Sequence, residues 1–252
     1  MSNKSRKDQY YKKAKREGYR SRASYKLQQI QQRFEVIHED DVVVDLGAAP
    51  GGWLQVIKDL NATAIGVDLQ QIEPIKGITI IESDITDPAT TEKIRNHARK
   101  VDVVISDAAP NLSGVWSVDH ARSIELSTSA LNIAKQILKP GGAFIVKVFQ
   151  GDLFDEFLKI VRENFSFVKA FNPKASRKQS AEIYIIGKKF LNVPVNLNAF
   201  YEVQIVAIGE AGDGIAKIND FIIIVPDAKK DEVITVKLTD IKPTFAFGKR
   251  VS

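Results

Sequence analysis

No cysteine occurs among the 252 residues of the chain, and only three histidines do. Without cysteine the chain forms no disulfide, thiolate metal site, iron–sulfur cluster or cysteine nucleophile. His38, His97 and His120 are scattered and lack metal-binding spacing, so we expect no metal. No apolar run approaches the length of a membrane span, and no apolar stretch follows the basic N-terminus, as it would in a secretory signal. These absences predict a cytoplasmic protein with no membrane partner.

Positive charge is concentrated at the N-terminus. Met1–Lys26 contains ten Lys/Arg and two Asp/Glu, a net charge of +8, whereas the rest contains 26 Lys/Arg and 29 Asp/Glu, a net charge of −3. The segment also contains four tyrosines: Tyr10, Tyr11, Tyr19 and Tyr25. Basic segments with aromatic residues are typical of polyanion binding, although a solvated, frayed terminus has the same composition. We assign residues 1–21 to a basic arm.

Helical and strand-like segments alternate after this arm, which predicts a parallel sheet covered by helices on both faces. The predicted helices are Ser24–Phe34, Gly51–Leu60, Pro88–Ala98, Asp119–Leu138 and Asp152–Asn164. The predicted strands are Asp41–Leu46, Thr63–Val67, Ile78–Ile81, Val101–Ile105, Ala143–Val148, Phe165–Phe171 and Ala181–Ile186. The fold class is therefore α/β.

The pattern changes at residues 191–198, which have the composition of a linker. The helical period then disappears, and four short β-rich runs separated by turn residues predict a small all-β barrel over residues 199–252. The runs are Tyr201–Ile208, Ile215–Ile218, Phe221–Val225 and Val233–Leu238.

The segment Asp45–Trp53 (DLGAAPGGW) joins the first strand of the sheet to the helix that follows, where open α/β sheets bind ligands. Its glycines allow a sharp turn and a close approach of a ligand to the backbone. The segment is neither G-x-G-x-x-G nor a Walker loop, and it has no Lys or Arg to balance a phosphate. Asp45 instead suits an amine, such as the amino acid part of S-adenosylmethionine. A purely structural turn is the alternative.

Two more carboxylates follow the second and third strands. Asp68 can accept hydrogen bonds from both ribose hydroxyls of a nucleoside, and Asp84 can accept one from an adenine amino group. Capping of a helix or turn is the alternative for each. With Asp45, they predict S-adenosylmethionine rather than NAD, whose pyrophosphate would lack its usual cradle.

Asp107 follows the fourth strand, and Lys147 lies within the apolar fifth strand. Burial disfavours the cationic form of a lysine, whereas a neighbouring Asp107 favours it. A neutral lysine amine accepts a proton from a hydroxyl, which suits methyl transfer, a reaction that otherwise needs mainly in-line alignment. An exposed lysine at the end of the strand is the alternative.

Other methylation chemistries fit less well. Asp107–Pro110 lacks the aromatic residue typical of amine methylation, and the absence of cysteine excludes the covalent route to pyrimidine carbon 5. Sequence spacing alone does not place Lys26 or Glu182 in the cleft. It favours an exposed lysine and a glutamate on an edge strand.

Between about Ser21 and Lys188 the chain resembles the FtsJ/RrmJ family of ribosomal RNA 2′-O-methyltransferases. The matching motifs are Arg22–Leu27, Asp45–Trp53, Ser106–Pro110, Val146-Lys147 and Ser180–Glu182. The resemblance implies a Rossmann-like, S-adenosylmethionine-dependent methyltransferase fold over residues 22–190.

The same resemblance implies the roles of individual residues. It implies a catalytic tetrad of Lys26, Asp107, Lys147 and Glu182, with Lys147 as the proton acceptor. Lys26 and Glu182 would position the ribose and the second lysine, and Asp107 would support both cofactor and base. The implied cofactor contacts are Gly51, Trp53, Asp68, Asp84 and Asp107.

Residues 199–252 resemble a TRAM domain, a small OB-like β-barrel found on RNA-modifying enzymes. The matching stretches are Gly209–Lys217, Phe221–Pro226 and Lys242–Gly248. The resemblance implies additional grip on RNA, with four candidate residues: Phe245, Phe247, Lys249 and Arg250. A dimerisation barrel or a purely structural one is the alternative.

Together these features predict S-adenosylmethionine-dependent 2′-O-methylation of a uridine in 23S ribosomal RNA by a monomer whose partner is RNA and not DNA. A tRNA 2′-O-methyltransferase and a non-catalytic RNA-binding factor in ribosome assembly are the alternatives. A nicotinamide oxidoreductase would need the G-x-G-x-x-G motif, which is absent.

Overall fold

The computed structural model describes residues 9–177 and 180–251, so the first eight residues of the predicted basic arm lie outside the described residues. The helices are α1 (Gln9–Glu17), α2 (Ser24–Phe34), α3 (Gly52–Asp59), α4 (Ala89–Arg95), α5 (Trp116–Ile137) and α6 (Phe154–Asn164). The strands are β1 (Val42–Leu46), β2 (Thr63–Asp68), β3 (Thr79–Glu82), β4 (Val101–Ser106), β5 (Leu138–Phe149), β6 (Phe165–Phe171), β7 (Glu182–Phe190), β8 (Phe200–Ile208), β9 (Gly214–Ile218), β10 (Phe221–Val225), β11 (Val233–Ile241) and β12 (Phe245–Arg250). In this described part, no helix is long and apolar enough to cross a membrane.

The first seven strands form one sheet in the order β3-β2-β1-β4-β5-β7-β6. Strands β1 to β5 are parallel to their neighbours, whereas β7 is antiparallel to both β5 and β6. The expectation of a wholly parallel sheet was therefore wrong at β7. No helix lies between β6 and β7 among the described residues, and a loop suffices to join antiparallel neighbours. As a result, β7 starts at the edge where the parallel strands end.

Strand residues alternate between two apolar cores, one on each face of the sheet. Helices α4, α5 and α6 cover one face, where Phe144 and Phe157 are buried. Helices α2 and α3 cover the other, where Leu27, Leu54 and Ile105 are fully buried. This two-sided burial explains why the central strands are nearly continuous apolar runs.

Helix α1 was missed by the sequence analysis because its residues are mostly charged. It is held by Ala14, which is buried with Tyr25, and by the Tyr25 hydroxyl, which donates to Glu17 at 2.7 Å. Tyr25, one of the four tyrosines that suggested polyanion binding, is therefore a core residue. The basic residues of α1 remain exposed: Lys12, Lys13, Lys15 and Arg16.

The boundary between α5 and β5 also differs from the prediction. Helix α5 starts at Trp116 instead of Asp119, and β5 starts at Leu138. The segment Pro140–Gly142 lies inside β5, with Gly141 at a φ of 84°. The early start of α5 places Trp116 on an ordered helix.

Strands β8 to β12 close a barrel in the order β10-β12-β11-β8-β9, around a core that includes Ile205, Ile223 and Val236. Strand β12 was not among the four predicted β-rich runs. Residues 191–198 contain no helix or strand, as expected of a linker, but Val195 is buried against the barrel core.

Candidate active site

Four charged side chains meet where β4 and β5 end and β7 begins. Lys147 Nζ lies 3.0 Å from Asp107 Oδ1, Lys26 Nζ lies 2.7 Å from Glu182 Oε1, and Lys26 Nζ lies 3.9 Å from Asp107 Oδ1. Lys26 and Lys147 are only 8% and 6% exposed. The structure therefore brings together the four residues that the resemblance implied, and the exposed readings of Lys26 and Lys147 were wrong.

The sheet register explains this convergence. Phe149 of β5 pairs with Glu182, and Lys147 pairs with Tyr184, so the start of β7 lies beside the end of β5. Asp107 follows β4, whose last residue pairs with the residue before Lys147. Lys26 reaches the same edge from α2.

The cluster contains two lysines and two acidic residues. Burial by itself raises the pKa of the Asp107 carboxyl, but the ammonium groups of Lys147 and Lys26 outweigh that effect. With the Tyr184 hydrogen bond, they hold the pKa of Asp107 below its ordinary value. Asp107 is therefore a carboxylate, and it fixes the buried lysine by charge-assisted contact. Lys147 Nζ also donates to the Asp107 carbonyl oxygen at 2.5 Å.

Tyr184 is a fifth member of this cluster that sequence reasoning missed. Its hydroxyl donates to Asp107 Oδ1 at 2.6 Å, and Lys26 Nζ lies 5.5 Å from its ring centroid. Burial, followed by the nearby Asp107 charge, raises the pKa of Tyr184 well above its ordinary value, so the hydroxyl stays protonated and donates. One signal was available: Tyr184 is two residues after Glu182 on one strand, and such residues share a face.

A cleft lies beside these charges, between the loops that follow β1, β2, β3 and β4. Its lining includes Gly47, Asp68, Asp84, Asp107 and Pro110. Asp68, Asp84 and Asp107, which the sequence analysis named as candidate cofactor contacts, thus line one cleft. In the described part of the chain, no group of three His, Asp or Glu residues is placed to hold a metal ion.

Gly47 allows the loops after β1 and β4 to touch. Its φ is 79°, and a Cβ there would lie 2.7 Å from Ala108 Cα, too close for any side chain. The Ser106 hydroxyl ties the same strand ends by donating to the Leu46 carbonyl at 2.9 Å. Gly47 and Ala108 both line the cleft.

Asp68 and Asp84 cap backbone amides and also line the cleft, so they fit both the capping role and the ligand-binding role considered from the sequence. Asp68 accepts from the amides of Ala49 and Gln70 at 2.9 and 2.8 Å. Asp84 Oδ1 accepts from the amide and hydroxyl of Thr86 at 2.8 and 2.7 Å. Asp68 therefore braces its own loop and the loop after β1, and Asp84 braces its own loop. Each Asp68 oxygen can still accept from a second donor, and Asp84 Oδ2, to which neither Thr86 group donates, can accept as well.

Asp45 is 1% exposed, and neither of its carboxylate oxygens has a hydrogen-bond partner among the described residues. Burial, followed by the charges of Asp107 and Asp68, raises its pKa well above the ordinary value. An unpartnered buried carboxyl is costly, so this site favours the arrival of a donor or a cation. Asp45 does not itself line the cleft.

Gly51 and Trp53 also lie outside the cleft lining. Trp53 is 3% exposed, donates from its indole nitrogen to the Ala23 carbonyl at 2.8 Å, and packs against Tyr184 with ring centroids 5.9 Å apart. It therefore supports the start of α2, which carries Lys26. Gly51, at a φ of 105°, lies against Arg20, whose guanidinium donates to the carbonyls of Pro50 and Glu73.

Strand β12 presents part of the predicted RNA-binding surface of the barrel. Phe245 and Phe247 form an edge-to-face pair with centroids 5.4 Å apart, and Lys249 follows on the same side of the strand. Arg250 differs, because its guanidinium pairs with Glu232. Phe247 and Lys249 are the more available contacts.

Known protein families match both the α/β part and the barrel part of the chain. The model of the FtsJ-like methyltransferase family matches residues 19–190, and that of the TRAM domain matches residues 194–251. A Methanothrix thermoacetophila protein and a Methanococcoides burtonii protein, both named ribosomal RNA large subunit methyltransferase E, are 54% and 56% identical. Each match covers 96% of this chain, and they cover 96% and 92% of those proteins.

A solved structure is similar to the first part of the chain. It is a Plasmodium falciparum protein described as a ribosomal RNA methyltransferase, with 29% identity and a TM-score of 0.62. The match covers 68% of this chain and 98% of that one.

Proposed function

The chain belongs to the FtsJ-like methyltransferase family and carries a TRAM domain, and we propose that it transfers a methyl group to the 2′-hydroxyl of a uridine in large-subunit (23S) ribosomal RNA. The single observation that carries this proposal is the contact between the buried Lys147 and the partly buried Asp107 at the rim of a carboxylate-lined cleft, with Lys26 and Glu182 beside it. Relatives that share 52–56% of their residues are named ribosomal RNA large subunit methyltransferase E. The chain is therefore an enzyme of the methyltransferase class.

The family implies S-adenosylmethionine as the cofactor, and the residues of the cleft suit it. Asp68 and Asp84 have lone pairs for the ribose hydroxyls and the adenine amino group. Asp45, a buried carboxyl without a partner among the described residues, suits the positively charged amino acid end. We keep Gly51 and Trp53 as proposed neighbours of the cofactor, through the loop that they brace. When bound, the cofactor supplies an electrophilic methyl group.

The tetrad provides the proton chemistry. In its neutral form, Lys147 accepts the proton of the ribose hydroxyl through Nζ. Asp107 and Tyr184 hold that nitrogen in place, while Lys26 and Glu182 position the ribose. Burial keeps water from competing with the hydroxyl. Alignment of the hydroxyl with the methyl group provides the remaining rate acceleration.

RNA is the proposed partner, and two surfaces support this. The exposed basic residues of α1 suit phosphates, and Phe247 with Lys249 on β12 suits stacking and backbone contact. We also propose that the protein acts on the large ribosomal subunit, is a monomer and is cytoplasmic. The same proposal divides the chain into an arm (1–21), a methyltransferase domain (22–190), a linker (191–198) and a barrel (199–252).

The test is methyl transfer from labelled S-adenosylmethionine to large-subunit particles and to bulk tRNA, both from cells that lack this gene, followed by nucleoside analysis. We expect label in a 2′-O-methyluridine of the large-subunit RNA. Label only in tRNA would retain the reaction and overturn the target. Cofactor binding without label in either RNA would overturn the reaction and favour an RNA-binding assembly factor.

A further inference from the structure

Three aromatic rings form a layer near the tetrad. Neither packing of the core nor the proton chemistry of the site explains why one of these rings is exposed. The Trp116 ring lies 5.8 Å from the His120 ring and 6.1 Å from the Phe149 ring, each at an interplanar angle of 16°. Trp116 is nevertheless 51% exposed. We call these three residues the aromatic layer. It presents a flat apolar surface to solvent.

Buried neighbours fix the aromatic layer in place. His120 is buried, and its Nε2 accepts from the Leu153 amide at 3.1 Å. Its ring also lies so close to Gly151 that a Cβ there would be 2.8 Å away. The Phe149 amide donates to the Ser123 hydroxyl of α5 at 3.1 Å, which ties the end of β5 to the helix that carries Trp116.

The layer adjoins the proposed methyl-transfer site. Phe149 is two residues after Lys147 on β5, about 7 Å along a strand. It also pairs in register with Glu182 of the tetrad. The backbone positions of the proton acceptor and of Phe149 are therefore about one nucleotide apart along β5.

The chemistry of a ribonucleotide links the two places. The accepting hydroxyl is on C2′, and the base is attached to the neighbouring C1′. We propose that Trp116, supported by Phe149 and His120, stacks on a nucleobase of the RNA substrate, either that of the target nucleotide or that of its direct neighbour. This inference rests on the proposed function, because it assigns a base-binding surface to the same site. Aromatic stacking suits any base, since every base has a π-face.

The surroundings favour a nucleobase over a protein partner. Other apolar side chains are exposed close to Trp116 in the sequence or the fold: Leu112, Val115, Val118 and Leu153. Along the chain, Ser113, Gly114 and Ser117 separate the first three. Arg122, exposed on α5, contributes a positive charge on the same helix as Trp116, which suits a phosphate next to a stacked base.

The first test uses three variants and protein-free large-subunit RNA. We expect Trp116→Ala to raise the KM for RNA between about five- and a hundred-fold, in line with the loss of one stacked base, with S-adenosylmethionine affinity unchanged. Trp116→Phe should retain most of the affinity, because a ring remains. Leu112→Ala is the matched control, because Leu112 is 70% exposed in the loop that precedes α5. Equal KM values for Trp116→Ala and Leu112→Ala would overturn the proposal.

The second test uses fluorescence and needs no methyl transfer. The chain has two tryptophans, and the other, Trp53, is 3% exposed, so a ligand that stacks on the surface reports through Trp116. We expect polyuridylate to quench the emission, base-free polyphosphate to leave it unchanged, and the response to disappear in Trp116→Phe.

The outcomes separate this inference from the proposed function. Quenching by polyuridylate without methylation of any RNA would support the stacking site and overturn the proposed reaction. Normal methylation with equal quenching by polyphosphate would overturn the stacking site alone.

Discussion

The Tyr184 hydroxyl donates a 2.6 Å hydrogen bond to Asp107 Oδ1, the same oxygen that lies 3.0 Å from Lys147 Nζ. One carboxylate oxygen therefore receives a neutral donor and a cation in a buried place. Hydrogen bonds to a charged group contribute about 1.5–3 kcal/mol. The tyrosine thus helps to keep Asp107 ionised and the lysine nitrogen in a fixed position.

Tyr184→Phe removes that donor and leaves the ring. Because the hydrogen bond contributes to the lowered pKa of Asp107, its loss raises this pKa and weakens the hold of the carboxylate on Lys147 Nζ. We expect kcat/KM at neutral pH to fall about ten-fold, as one charge-assisted hydrogen bond is lost. Tyr201→Phe is the control, since that hydroxyl accepts from Asn196 in the barrel. A wild-type value of kcat/KM in Tyr184→Phe would contradict this role.

Lys147→Ala removes the proposed proton acceptor. General base catalysis contributes about 10²–10⁴-fold, and we expect kcat to fall by that factor while S-adenosylmethionine binding, measured by calorimetry, is retained. Lys139→Ala is matched, because Lys139 lies on the same strand but forms an exposed pair with Asp102. Near-normal turnover of Lys147→Ala would refute the assignment.

The sequence predicted those features that local patterns determine. The apolar runs and helical spacing located every element of the sheet, and the loops after the strands indicated where Asp68, Asp84 and Asp107 meet. These predictions succeed because the carboxyl ends of adjacent parallel strands share one edge of the sheet.

Contacts between segments that are far apart in the sequence could not be predicted from local patterns. Lys26 reaches the cleft edge only because α2 packs against α3, where the Ser24 hydroxyl donates to the Gly52 carbonyl at 3.0 Å. Glu182 reaches it only because β7 is antiparallel. Without the resemblance to a family, both residues would have been read as surface charges, since their own surroundings in the sequence carry no sign of burial.

Lys26 and Glu182 should act as a unit, because their side chains are 2.7 Å apart and about one tenth exposed. Removal of either leaves the other charge buried without its nearest partner. We expect the loss of kcat/KM in the double alanine variant to be about ten-fold smaller than the product of the single losses. Lys242 and Asp240 form an exposed pair at 2.8 Å and serve as the control, with multiplicative effects. Multiplicative losses at Lys26 and Glu182 would show that they act independently.

Phe247 and Lys249 should contribute to RNA affinity in different ways. Phe247→Ala removes a stacking surface and should weaken RNA binding about five-fold or more without changing its salt dependence. Lys249→Ala removes one phosphate contact and should reduce the slope of log affinity against log salt by about one. Arg250→Ala, whose guanidinium already pairs with Glu232, is the comparison and should change the slope less. If all three bind RNA as the wild type does, the barrel has a dimerisation or purely structural role.

Asp45→Asn separates cofactor binding from stability. Burial raises the pKa of Asp45, so the folded protein holds this proton to a higher pH than the unfolded chain does. The stabilisation from the protonated form is complete below the unfolded pKa and is lost as pH rises towards the folded one, at up to about 1.4 kcal/mol per pH unit.

The variant lacks this titration. The free energy of unfolding of ligand-free Asp45→Asn should therefore rise relative to the wild type as pH increases from 4 to 7, measured by urea unfolding. Its affinity for S-adenosylmethionine should fall about ten-fold or more, because an amide cannot pair with an amine as a carboxylate does. Asp155→Asn, an exposed change on α6, should alter neither property. If Asp45→Asn binds the cofactor as tightly as the wild type does, the buried carboxyl is not the partner of the cofactor's amine.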